Sequence, residues 1–210
     1  MKKVIVLFVE GDTEVEFYNL LMNYYKSFVK SFPDIKIINL KGIGRFEGKV
    51  SSKIKHEILN NSKYGKGKID VKVFCCYDTD VFELGKKPPT NWKIVRGKLK
   101  ELGINSFFEI KAEKMIEDWF IYDLEGICKS LNSKLTKTKG KNGLTIMKEV
   151  FKNCKKPKVY QKGSYTHNFL SDINIEKIRN SLSEIFTDLE KEVRFESKPV
   201  KKSSKSKSKQ

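Results

Sequence analysis

Histidine is nearly missing from this chain: His56 and His167 are the only two in 210 residues, and they lie far apart in sequence. That scarcity argues against a metal centre built from imidazoles and against a histidine-centred catalytic triad. No C-x-x-C pair occurs either, since Cys75 and Cys76 are neighbours inside an apolar run while Cys128 and Cys154 stand alone. A zinc site or a disulfide framework is therefore not expected, and the four thiols should be reduced, with at least one in the core. A third absence is any uncharged apolar run of about 18 residues, the length a membrane span needs. Met1-Lys2-Lys3 enters a strand-like run directly, without a signal-peptide cleavage pattern, so the expectation is a cytoplasmic protein with no membrane partner.

Acid is scarce relative to base, with 26 Asp and Glu against 43 Lys and Arg and a formal charge of +17. Such a balance favours a polyanionic partner through counterion release and long-range steering. Ser197 to Gln210 carries six lysines and no acid, so setting that tail aside takes the charge from +17 to +11, and the body is still basic. A proteome in which lysine is the default surface residue would produce the same composition, so charge alone gives only a lean toward nucleic acid. The length suits one core with extensions.

Short β-branched runs alternate with segments of helical period, the pattern of an α/β domain with a mainly parallel sheet flanked by helices. Strands are expected at Lys3 to Val9, Ile35 to Leu40, Val71 to Tyr77 and Ser106 to Ile110. Helices are expected at Thr13 to Val29, with Phe17, Leu20, Leu21, Tyr24 and Phe28 on one face, within Gly48 to Asn61, at Trp92 to Leu102 and at Met115 to Leu131. Residues 1–131 are thus read as the α/β domain, 132–196 as a mostly helical extension packed on it, with helices at Leu144 to Phe151 and Ile175 to Phe195, and 197–210 as a disordered Lys/Ser tail.

Strand ends in an open parallel sheet line up along its carboxyl edge, where such folds place their sites. Glu10 ends the first expected strand, and Asp78 and Asp80 end the third in "FCCYDTDVF". Alternation puts the two aspartates on one side of that strand end, and Glu14 lies one turn into the first helix. Carboxylates packed together repel unless a proton or cation is shared among them, and magnesium or manganese suits an all-oxygen set. The ordinary role of these acids would be capping, at a turn for Asp78 and Asp80 and at a helix start for Glu10. Either half alone fits capping; the two halves in this order favour the metal.

Glu10-Gly11-x-x-Glu14 after one apolar strand, with Asp78-x-Asp80 after another, resembles the signature of the TOPRIM domain of topoisomerases, bacterial primases, ribonuclease M5 and OLD-type nucleases. The resemblance implies a TOPRIM-like Rossmannoid fold. It also implies metal contact and proton transfer at Glu10, metal ligation at Asp78 and Asp80, and a match of Glu14 to the second acid of the OLD-like variant. "AEKMIEDWFIYD" is similar to the acid-aromatic motif of small stand-alone TOPRIM proteins of the RloB and abortive-infection type and of OLD nucleases. By that likeness Glu117 is a second-site ligand, ahead of Asp118, while Trp119 and Phe120 read as core. Lys162 in "VYQKGSY" is a candidate for the lysine OLD-type nucleases are thought to use near the metals, beside the plainer reading of a loop lysine.

The expected activity is a Mg2+- or Mn2+-dependent nuclease acting on DNA or RNA, in phage defence or on a mobile element, with a separate ATPase or sensor protein as a partner and homo-oligomerisation left open. The alternative is a TOPRIM module that binds nucleic acid or a partner without chemistry. Lys137, Lys139, Lys141 and Lys158, in two lysine-rich stretches with Tyr160 and Tyr165 nearby, are expected to contact phosphate, with occasional base stacking. "GIGRFEGK" fails the P-loop spacing, with Val50 after Lys49, and reads as a strand-to-helix turn.

Overall fold

The computed structural model describes residues 1–64, 69–80, 89–134, 137–161, 167–170 and 172–196. Four strands, β1 (Lys2–Val9), β2 (Asp34–Asn39), β3 (Ile69–Asp78) and β4 (Ser106–Ala112), form one sheet in the order β2-β1-β3-β4. Every pairing is parallel, with Phe8 opposite Ile38 on one side and Cys75 on the other, and Asp78 opposite Ala112. The fold is therefore α/β with a parallel sheet covered by helices on both faces.

Coverage on both faces explains why β1 reads as an unbroken apolar run: Val4 to Val9 are all buried, and pleating sends alternate residues to opposite layers. Ile5, Leu7 and Val9 join Phe74 and Cys76 of β3 in one core with α1 (Asp12–Phe28) and the chain beyond β4. Val4, Val6 and Phe8 join Val71, Val73, Cys75 and Tyr77 in the other, under α2 (Phe46–Lys53) and α3 (Trp92–Glu101). Burial pushes the Cys76 thiol up to about 12 and raises Cys75 too, which keeps both protonated and inert.

The first core also takes in α4 (Glu117–Phe120), α5 (Leu124–Ser130), α6 (Gly143–Lys152), α7 (His167–Leu170), α8 (Ile175–Ser181) and α9 (Thr187–Val193). Phe17 of α1 lies 5.7 Å from Trp119 and 5.8 Å from Phe120, and Phe186 closes on Trp119 at 5.4 Å. Residues up to 131 and beyond 132 thus share one hydrophobic cluster. The tail from 197 lies outside the described residues. Among the described residues no helix is long and apolar enough to cross a membrane.

Several helices differ from expectation. The buried stripe of α1 is Phe17, Tyr18, Leu21, Met22 and Tyr25, whereas Phe28 is exposed and Tyr24 half-buried at a rim made with Phe195. The helix expected within Gly48 to Asn61 continues from α2 as a π-helical segment over Ile54–Leu59. Met115 to Leu131 is broken by a 3-10 turn at Ile121–Asp123. There the buried Asp123 carboxylate turns away to accept the Asn174 N–H at 2.7 Å and the Lys177 ammonium at 3.2 Å. Ile175 to Phe195 likewise divides into α8 and α9, and Arg179 of α8 holds Glu190 of α9 through two guanidinium contacts of 2.5 Å.

Candidate metal and nucleic-acid site

A strand order of 2-1-3-4 places the reversal of winding between β1 and β3, and ligands of open α/β sheets bind outside the carboxyl ends at that point. Glu10 follows β1 and Asp78 ends β3, so the two acids meet there, and the Asp78 N–H donates to Glu10 Oε1 at 2.9 Å. Glu10 is held from the other side by the turn after β2, whose Gly42 N–H donates to the Glu10 carbonyl at 2.8 Å. Asp78 is only 4% exposed, and its Oδ1 accepts the Ile116 N–H at 3.0 Å, which fixes the carboxylate beneath the start of α4.

Gly11 allows the next acid in. Its backbone is extended, and a Cβ there would lie 2.9 Å from Glu14 Oε2, so the buried Glu14 carboxylate folds back over the strand end where a side chain would otherwise stand. Asp80 lies past the end of β3 in a turn, so strand alternation does not carry over to it. Its N–H donates to the Lys114 carbonyl at 3.0 Å, and Lys114 N–H donates to Thr79 Oγ1 at 2.8 Å. Asp80 is half-buried, the more open of the two aspartates.

Glu117, at the start of α4, is fully buried and accepts the Tyr160 hydroxyl at 3.0 Å on Oε1. Gly143 packs against the same point: a Cβ there would lie 2.2 Å from the Glu117 carbonyl carbon, and the Gly143 N–H donates to Asp118 Oδ1. Asp118 is thereby committed to the start of α6. Burial first, then the Glu117 carboxylate, drives the Tyr160 phenol far above its usual range, with Glu14 and Asp78 adding. Tyr18 is pushed up by burial, by Cys76 and again by Glu14 and Asp78. Both phenols stay protonated; the charges of Glu14 and Asp78 act on both, and that of Glu117 on Tyr160.

Carboxylate oxygen is the donor chemistry of magnesium and manganese, and magnesium needs only one or two protein carboxylates because it keeps several waters. The residues fit such an ion by donor type. They do not form a closed cage: among the described residues no group of three or more His, Cys, Asp or Glu is gathered closely enough to hold a metal.

Lys137, Lys139, Lys141 and Lys158 are exposed. Lys141 is two residues from Gly143 and Lys158 two from Tyr160, so each is within about 7 Å of chain from a residue that touches Glu117. Lys162 and Tyr165 lie outside the described residues. Tyr160 does not stack bases: it is 3% exposed, with its ring 5.1 Å from Phe151. Its role and that of Gly143 were missed by sequence reading, which has no local signal for a contact between residues 117 and 160.

No family model matches the chain, and no curated protein matches it. Among solved structures it is similar to the C-terminal region of the Burkholderia pseudomallei OLD protein, at 16% identity and TM-score 0.42 over 88% of this chain and 98% of that one. It is also similar to the C-terminal region of the Xanthomonas campestris pv. campestris OLD protein, at 14% identity and TM-score 0.38 over 90% and 96% of the two chains.

Proposed function

We propose that the chain is a divalent-metal-dependent nuclease of the TOPRIM type. The observation that carries the proposal is the meeting of Glu10 and Asp78 at the switch point of a parallel sheet, with the charges of buried Glu14 and Glu117 acting, like that of Asp78, on Tyr160, in a protein of charge +17. Glu10, Glu14, Asp78, Asp80 and Glu117 would hold Mg2+ or Mn2+. When bound, such an ion supplies an activated water and neutralises charge on the phosphodiester. Glu10, the more open acid beside Asp78, would take a proton, while Tyr160 would orient Glu117 and the surrounding lysines would attract the polymer. The motif likeness to OLD- and RloB-type proteins supports a place in phage defence or on a mobile element, alongside a separate ATPase or sensor.

The second reading is a module that binds nucleic acid or a partner without chemistry. Cleavage of plasmid DNA, single-stranded DNA and structured RNA, with Mg2+, Mn2+ or chelator, decides between the two when wild type is run beside Asp78→Asn. Cleavage that needs both the metal and Asp78 supports the nuclease. Binding to these polymers without cleavage supports the module, and cleavage by Asp78→Asn at the wild-type rate refutes the site.

A further inference from the structure

Four residues other than glycine adopt a left-handed backbone among the described residues, and two of them, Lys41 (φ 59) and Lys114 (φ 66), flank the acid edge. That conformation suits glycine or asparagine and brings the Cβ of other residues too close to the following carbonyl oxygen, so lysine in both places calls for a reason. Lys41 follows β2 and Lys114 follows β4, the two outer strands. Read across the carboxyl edge in sheet order, the chain presents Lys41, Glu10, Asp78 with Asp80, and then Lys114.

Each lysine is fixed to the acid beside it through the backbone. The peptide linking Lys41 to Gly42 donates its N–H to the Glu10 carbonyl at 2.8 Å, and the Lys114 carbonyl accepts the Asp80 N–H at 3.0 Å. Both side chains are exposed, and among the described residues neither ammonium is engaged in an ion pair. Three strand spacings of about 4.8 Å separate the outer strand ends by about 14 Å.

We propose that Lys41 and Lys114 bracket a single nucleic-acid strand, each binding a phosphate on one side of the acid edge, so that the strand crosses the sheet's carboxyl ends from β2 to β4. The two ammonium groups attract the backbone at points flanking an edge that by itself repels it. This rests on the nuclease reading for the choice of polymer.

Lys41→Asn and Lys114→Asn test it, because asparagine removes the charge and is better suited than lysine to the left-handed backbone. A fluorescently labelled 16-nucleotide single strand is titrated in chelator at several salt concentrations, with Lys100→Gln, at the far end of α3, as control. Each asparagine variant is expected to make the slope of log K against log salt shallower by about 0.7, and the double variant by about 1.4, with melting temperature unchanged or raised. Lys100→Gln should keep the wild-type slope. Asparagine variants that keep the wild-type slope, an equal change in Lys100→Gln, or a wild type without salt-dependent binding would each overturn the bracket. Slopes that fall as expected in a protein that never cleaves would sustain the bracket and refute the nuclease.

Discussion

Tyr160→Phe removes one hydroxyl from a position 3% exposed and leaves the ring against Phe151, so its effect isolates the hydrogen bond to Glu117. The bond is 3.0 Å long and its acceptor is a fully buried carboxylate. A hydrogen bond to a charged group contributes about 1.5–3 kcal/mol, against about 0.5–1.5 kcal/mol between neutral groups. Tyr160→Phe should therefore lower unfolding stability by about 1.5–3 kcal/mol in wild type and by about 1 kcal/mol less in a Glu117→Gln background, where the acceptor is neutral. Urea unfolding at pH 7 on the four members of the cycle reads both numbers, provided the denaturant slope is constant. An equal cost in the two backgrounds would refute the claim that the hydroxyl acts on the Glu117 charge.

Two other perturbations follow from the same packing and hydrogen bonding. Gly143→Ala would set a Cβ 2.2 Å from the Glu117 carbonyl carbon and 2.4 Å from the Asp118 nitrogen, both backbone atoms, so α6 must move off α4. A loss of at least about 1–3 kcal/mol is expected in thermal or urea unfolding, and wild-type stability would show the approach to be looser. Tyr25, fully buried, donates to Glu190 at 2.8 Å, and burial followed by Glu190 raises its pKa. A raised folded pKa gives stability that is complete below the unfolded value of about 10 and is lost as pH rises above it. Between about pH 10 and 12, wild type should lose stability faster than Tyr25→Phe by about 1.4 kcal/mol per pH unit, and parallel curves would contradict this.

The strands were legible because a sheet covered on both faces demands continuous apolar runs, and Val4 to Val9 supply one. Glu10 and Asp78 were legible for the related reason that a charge ending such a run must lie at the sheet edge. Helix boundaries were harder, since the break at Ile121–Asp123 depends on Asp123 accepting a backbone N–H from Asn174, 51 residues away. The Tyr160 contact has the same character: a tyrosine in a lysine-rich loop reads as exposed until the loop is seen to return to Glu117. Nothing in the sequence marks Lys41 or Lys114 as left-handed, because the signal for that backbone is glycine or asparagine and neither stands there.

The most direct measurement is calorimetric titration of Mn2+ into wild type and Asp78→Asn. Asparagine keeps an oxygen for the Ile116 N–H, which Asp78 now accepts at 3.0 Å, while it removes the charge a cation would use. Saturable Mn2+ binding by wild type that falls at least about tenfold in affinity in a folded Asp78→Asn protein is the predicted result. Equal binding by the two proteins, or no binding by wild type, would contradict a metal held at the carboxyl edge.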